Sequence, residues 1–154
     1  MTSTDETPQA ERPTRWVTFQ LAGENYAVNV LNVHEVLKNA ELTPVPGAPA
    51  SVIGIINLRG NVVTVMDGRQ RFSLPSMPMS DASRILILEV GQQVLGLLVD
   101  SVAEVIELPA DEVEASPAVN SDDSSVHIHG VISRPGGLVI LLNLDNLTQT
   151  VKVH

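Results

Sequence analysis

The stretch Gly54-Ile-Ile-Asn-Leu-Arg-Gly-Asn-Val-Val-Thr-Val-Met-Asp67 decides how this chain folds. Apolar residues run from Ile55 to Leu58 and again from Val62 to Met66, with Arg59-Gly60-Asn61 between them. β-Branched side chains favour strands, and Gly-Asn supplies the positive φ of a tight reversal, so the stretch reads as a β-hairpin. Arg59 stands at its turn, where a permanent charge is not required. A near copy follows at Gly130-Val-Ile-Ser-Arg-Pro-Gly-Gly-Leu-Val-Ile-Leu-Leu-Asn143, turning at Pro135-Gly136-Gly137.

Working outward, Val17, Phe19 and Leu21 alternate with polar residues, and Tyr26, Val28 and Val30 alternate back after a turn at residues 22–25. Val33, Val36 and Leu37 have helical spacing, which predicts one or two helical turns over residues 31–39, with His34 exposed and Glu35 off the apolar face. Residues 42–45 are expected as a short edge strand beside Pro44 and Pro46. Residues 67–72 start a short helix, and residues 73–83, with Pro75 and Pro78, form a linker.

The second half repeats this order. Residues 84–90 form an apolar, central strand and residues 94–99 return. Residues 100–105 and 106–108 follow, then a polar connection over 110–126. After the second hairpin, residues 144–154 predict a C-terminal helix with Leu147 and Val151 on one face. Phe19 aligns with Leu88, and Val33-His34-Glu35-Val36 aligns with Val102-Ala103-Glu104-Val105. The chain is an internal duplication. Each copy supplies about five short strands, too few and too apolar on both faces to stand alone. Two small barrels sharing one core satisfy both copies.

Composition narrows the function. The 154 residues suggest one domain, contain no cysteine, and carry a net charge of −9. The aromatics are Trp16, Phe19, Tyr26 and Phe72. Without clustered Lys/Arg or stacking rings, nucleic acid is set aside as a partner. No apolar run approaches the roughly 20 residues of a membrane span and no signal-peptide pattern opens the chain, so a cytoplasmic protein without direct membrane insertion is expected. Residues 1–15 read as a disordered leader, 16–147 as the folded domain with two pseudo-repeated barrel subdomains, and 148–154 as a tail.

Catalysis needs a nucleophile, a base and polarising donors brought together. On a strand, His127 and His129 would share a face and offer two metal ligands, too few for a site by themselves; the expected reading is a solvated loop before the second hairpin. Asp67 and Asp100 each follow an apolar strand, where an aspartate is ordinarily a turn or cap residue. The Gly-rich turns lack the phosphate-loop pattern. No cofactor is implied. A metal-dependent enzyme using His127, His129, Asp67 and Asp100 is the alternative from another class. A binding module fits better, because two pseudo-symmetric barrels leave a groove whose small apolar side chains can accept helices.

Asn57-Leu58-Arg59-Gly60 followed by a Val-rich strand and Asp67, with Val33-x-Glu35-Val36 and Leu98-Val99-Asp100-x-Val102, resembles the CheW-type coupling proteins of bacterial chemotaxis arrays. The match runs over roughly residues 16–147. The resemblance implies an all-β fold of two intertwined five-stranded SH3-like barrels. It implies a non-catalytic adaptor that joins the cytoplasmic tip of a methyl-accepting chemoreceptor to the regulatory domain of the histidine kinase CheA. That kinase domain would share the fold and pack end to end with the adaptor, and the receptor hairpin would lie in the groove. Recruitment to membrane-associated receptor arrays follows. Val33, Glu35, Arg59 and Val102 match positions implicated in receptor or kinase coupling; Gly54 and Val45 match the neighbourhood of the kinase contact. This chain departs from the family at Thr64, commonly Pro, and at Gly68-Arg69, commonly Leu-Arg. A CheW-like scaffold of a non-flagellar chemosensory pathway is a further alternative.

Overall fold

The computed structural model describes residues 13–38, 40–75, 77–109 and 127–144. Its strands are β1 (Thr14–Leu21), β2 (Glu24–Asn29), β3 (Val33–Leu37), β4 (Val52–Leu58), β5 (Asn61–Asp67), β6 (Arg84–Val90), β7 (Gln93–Val99), β8 (Ser101–Leu108), β9 (His127–Arg134) and β10 (Gly137–Asn143). A single helical turn, α1 (Gly68–Arg71), follows β5 with Asp67 as its N-cap. The leader (residues 1–12), the connection over 110–126 and the expected C-terminal helix beyond Leu144 lie outside the described residues.

The strands form two five-stranded sheets, ordered β8-β1-β2-β10-β9 (sheet A) and β3-β6-β7-β5-β4 (sheet B). Each draws strands from both copies of the repeat: sheet A takes β1 and β2 from the first, and sheet B takes β6 and β7 from the second. The duplication is visible residue by residue. Val33 faces Leu88 and Val36 faces Leu86; in the other sheet Val102 faces Phe19 and Val105 faces Val17. The parallel contacts agree too, Thr64 with Leu95 in one sheet and Ile140 with Tyr26 in the other.

Three apolar clusters explain why the sheets curl into barrels. Trp16, Ala27, Ile106, Leu108, Ile132, Val139 and Leu141 come from all five strands of sheet A and fill its interior. Ile56, Val63, Val65, Ile85 and Ile87, with Leu37 and Leu98 packed against them, do the same for sheet B. The third cluster lies between the barrels, with Val17, Phe19, Leu21, Tyr26, Val28 and Leu142 against Met66, Leu86, Leu88, Val90, Leu95, Leu97 and Val99. The expected shared core is this third cluster. It is one of three rather than a single continuous interior, because each barrel is wide enough to hold side chains of its own.

Some local expectations are corrected. Residues 33–37 are strand, not helix: they pair antiparallel with β6, and only Val30–Asn32 before them makes a 3₁₀ turn. A bulge between Val33 and Glu35 inserts one residue in β3, and this breaks the period-two pattern that would have marked a strand. His34 is therefore exposed on a strand, not on a helical face. Residues 42–45 contribute one bridge, Thr43 to Ile55, rather than a strand. Residues 100–105 and 106–108 are not separate pieces; β8 runs unbroken from Ser101 to Leu108.

Candidate functional site

The outermost strands of sheet B are β3 and β4, and a charged clasp spans the seam between them. Arg59, at the tip of the β4–β5 hairpin, donates from Nη1 to Glu35 Oε2 at 2.6 Å and from Nη2 to Oε1 at 3.1 Å. The two residues are 24 apart in sequence and meet only because the barrel curls. A fork of this kind fixes both direction and register of the hairpin tip.

The turn itself shows that Arg59 is held there against local preference. Its φ is 53° and that of Gly60 is 86°, a two-residue reversal with both central residues left-handed. The positive φ therefore falls on Arg59-Gly60, whereas the sequence suggested Gly-Asn; Asn61 already belongs to β5. Asn57 supports the turn by accepting the Gly60 N–H on its side-chain oxygen at 2.9 Å. A non-glycine residue rarely adopts this conformation, and Asn or Gly would serve the turn alone. Hydrogen bonds from Arg59 lower the Glu35 pKa below the usual carboxylate value, and Glu35 raises that of Arg59. The clasp stays charged across ordinary pH. Its arginine side is 71% exposed and its glutamate side 25% exposed, so it is a surface feature that a partner can touch.

Val33 and Val102 occupy equivalent places on β3 and β8 and are half-buried against the shared core. Val45 is exposed. Gly54 is buried, and a Cβ there would meet the Thr43 carbonyl oxygen at 2.6 Å. Only glycine lets the Thr43 segment pair along the outer side of β4. The structure thus brings Glu35 and Arg59 into contact and Val33 onto the same strand as Glu35. Val45 and Gly54 accompany the outer edge of β4, and Val102 lies on the opposite barrel.

Further apolar residues lie on the surface. Leu31 is 87% exposed, and Val36, Val62, Val105 and Leu138 are also exposed. His34 Nε2 lies 2.6 Å from Glu89 Oε1, and the Asn32 side chain donates to the Glu89 carbonyl at 2.9 Å. The repeat held a signal for four of these. Val36 aligns with Val105 and Val62 with Leu138, and positions that stay apolar and exposed in both copies are candidates for contact.

Of the residues of the enzyme alternative, Asp67 and Asp100 are held in local contacts, and His127 and His129 lie on β9 rather than in a loop. Asp67 accepts the Arg69 N–H at 3.0 Å as the cap of α1. Asp100 accepts from Arg69 Nε at 2.9 Å and from the Ala22 N–H at 3.0 Å, and hydrogen bonds from Arg69 hold its carboxyl below the usual range. His129 is exposed with its ring centroid 6.1 Å from that of Trp16. Among the described residues, no three His, Asp or Glu side chains are grouped to hold a metal ion. No described helix is long and apolar enough to cross a membrane.

A family model described as a CheW-like domain matches residues 15–152. The chain belongs to the CheW family. It is 33% identical over 135 residues to the chemotaxis protein CheW of Treponema pallidum, covering 85% of this chain and 79% of that one. It is 30% identical over 131 residues to CheW of Rhizobium meliloti, covering 85% and 84%. The crystal structure of the scaffolding protein TtCheW from Thermoanaerobacter tengcongensis superposes with a TM-score of 0.81 at 36% identity, covering 90% of this chain and 94% of that one. CheW membership makes this protein a non-catalytic adaptor of chemotaxis signalling.

Proposed function

We propose that the chain couples the cytoplasmic tip of a methyl-accepting chemoreceptor to the regulatory domain of the histidine kinase CheA, in the cytoplasm at membrane-associated arrays. The observation that carries this reading is the Glu35–Arg59 fork, displayed on the surface across the seam of one barrel. It holds an arginine in a left-handed turn that folding alone does not need. Charged groups fixed in this way select partners and orient them more than they stabilise the fold. Val33 and Glu35 on β3, Arg59 on the hairpin and Val102 on β8 form the coupling surface. Val45 and Gly54 belong to the kinase-facing edge, where Gly54 acts by allowing the Thr43 segment to lie flat against β4. In this reading a helical receptor hairpin packs beside Val33 and Val102, which are half-buried at equivalent places on the two barrels.

The test is reconstitution. The purified chain is mixed with a receptor cytoplasmic fragment and with the regulatory domain of each kinase paralogue in the genome. Co-elution of a three-component complex, lost when the chain is omitted, is expected for at least one paralogue. Failure to bind any receptor fragment and any kinase domain would refute the assignment.

A further inference from the structure

Strand β3 is outermost in sheet B, and among the described residues only β6 pairs along it. The bulge between Val33 and Glu35 leaves His34 with no residue opposite. One residue of β6 holds this bulge from the side. Glu89 accepts the Asn32 side-chain amide on its carbonyl at 2.9 Å, and its Oε1 lies 2.6 Å from His34 Nε2. Both side chains of that pair are half-exposed. The duplication supplies the comparison. In barrel A a bulge stands at the same place, where Val102 faces Phe19 and Val105 faces Val17, as Val33 faces Leu88 and Val36 faces Leu86. There Ala103 takes the place of His34, and Gln20 that of Glu89. The hydroxyl of Thr18, a residue only 5% exposed, holds that bulge instead. It donates to the Glu104 carbonyl at 2.9 Å and accepts the Glu104 N–H at 3.0 Å. The residue corresponding to Thr18 in barrel B is Ile87, whose side chain has no hydrogen-bonding group. The hairpin turns differ as well: Leu58 faces Asn61 and Arg134 faces Gly137, so Pro135 stands where Arg59 does. One barrel fixes its bulge with a buried hydroxyl, the other with an exposed imidazole and carboxylate.

We infer that His34 and Glu89 make the β3 bulge a proton-sensitive element, which presents Val33 and Glu35 more firmly when the imidazole is protonated. For coupling, this rests on the function proposed above, in which Val33 and Glu35 belong to the binding surface. Imidazole is the side chain whose charge ordinarily changes between about pH 5 and 8. Neutral, it can still donate from Nε2 in one tautomer; protonated, it makes the bond to Glu89 charge-assisted. The charged groups around it, among the described residues, are Glu89 on β6, Glu35 beside it on β3 and, through Glu35, Arg59 at the hairpin tip. Hydrogen bonds from Arg59 chiefly lower the Glu35 pKa, and the charge of His34 adds to this. A proton on His34 therefore acts on the bulge and on the clasp together. A strand already fixed loses less freedom when a partner docks, so affinity follows the proton.

The test compares the unaltered chain with His34→Gln and Glu89→Gln at about pH 6 and about pH 8. Glu89→Gln is the sharper variant, because its amide oxygen still accepts a hydrogen bond and only the charge is lost. Amide hydrogen exchange, expressed as protection relative to the intrinsic rate at each pH, is read at residues 34–36, with residues 103–105 of barrel A as the internal control. Protection at 34–36 should be about two- to fivefold higher at the lower pH, the size expected of an exposed ion pair, and flat at 103–105. Both variants should lose this dependence while keeping their melting temperature. Calorimetry with a receptor cytoplasmic fragment should show tighter binding at the lower pH by about the same two- to fivefold factor, a difference absent from both variants. Protection at 34–36 that ignores pH, or that varies equally at 103–105 or in both variants, would overturn the inference. So would a pH-dependent bulge beside an affinity that ignores pH. A chain that binds no receptor fragment would overturn the function proposed above, while the exchange measurement still decides whether the bulge responds to the proton.

Discussion

Truncating Ile87 to alanine should loosen both barrels together, although Ile87 belongs to the interior of only one. Strands β3 to β7 are contiguous in the chain and make up all of sheet B, so that barrel could be imagined as an independent unit. The shared core argues otherwise. Standing alone, sheet B would expose Met66, Leu86, Leu88, Val90, Leu95, Leu97 and Val99, all now 9% exposed or less. At roughly 1.5–3 kcal/mol for each large apolar side chain, the loss is on the order of 10–20 kcal/mol. A whole domain has only about 5–15 kcal/mol of net stability. Ile87 is fully buried, and an Ile→Ala change at such a site costs about 2–5 kcal/mol through lost transfer energy and the cavity left behind. For a chain of this size, 3 kcal/mol corresponds to a fall of roughly 6–12 °C in Tm. Trp16 is the single tryptophan and lies inside barrel A, so its fluorescence reports the other barrel. Melts followed by Trp16 fluorescence and by far-ultraviolet circular dichroism should coincide and shift together in Ile87→Ala. An unshifted Trp16 transition beside an earlier second phase would refute the shared-core argument.

Arg59→Glu and Glu35→Arg should each leave the melting temperature nearly unchanged while weakening partner binding about tenfold, and the double reversal should recover part of the loss; titration calorimetry of the four proteins decides it. A double variant no better than the worse single one would show that the fork is not what the partner reads. Gly54→Ala should push the Thr43 segment off β4, because its Cβ would sit 2.6 Å from the Thr43 oxygen. Faster hydrogen exchange at the Thr43 and Ile55 amides, which now bond across this edge, is the readout. Asp100 has a lowered pKa in the folded chain, chiefly through hydrogen bonds from Arg69. Its contribution to stability is full above the unfolded pKa and disappears as pH falls through the lower folded one. Asp100→Asn should therefore destabilise the protein at neutral pH and flatten its acid-side loss of stability, as measured by urea melts across pH.

Much of the fold was legible because it is local. Both hairpins declare themselves through β-branched runs and turn residues, and their repetition marks the duplication. Arg59 was conspicuous as a charge at a turn, and Glu35 as a charge between valines. What could not be read depends on distance or on irregularity. Strand β3 carries a helical pattern in the sequence because its bulge puts Val33 and Val36 three apart, a spacing that helices share. The exchange of strands between barrels leaves no trace in any single segment, since β2 and β7 look alike whichever sheet they join. The bond from Thr18 to Glu104 spans 86 residues and that from Arg69 to Asp100 spans 31, and neither has a pattern to announce it. Gly54 was singled out by resemblance alone. Its physical reason, the Thr43 oxygen over its α-carbon, required the folded chain.

An adaptor must present its surfaces in a fixed relation, or part of the binding energy goes into ordering them. This chain secures that relation at the crossover from β7 to β8. Asp100 joins β7 of sheet B to β8 of sheet A, and its carboxylate gathers Arg69 from α1 and the Ala22 N–H from the β1–β2 turn. Arg69 in turn donates to the Pro75 carbonyl at 2.9 Å, tying down the start of the linker to β6. Phe19 stacks on Tyr26 with ring centroids 5.9 Å apart, and Phe72, just after α1, meets Tyr26 at a tilt with centroids 5.5 Å apart. The two barrels are thereby clamped at this crossover, while the surfaces of the two copies differ. Arg59 against Pro135 and Ile87 against Thr18 are two such divergences, and together they turn one repeated scaffold into two faces of different chemistry. A protein built from one copy, dimerised by the same exchange, would carry two identical faces; duplication within a single chain is what lets the two differ.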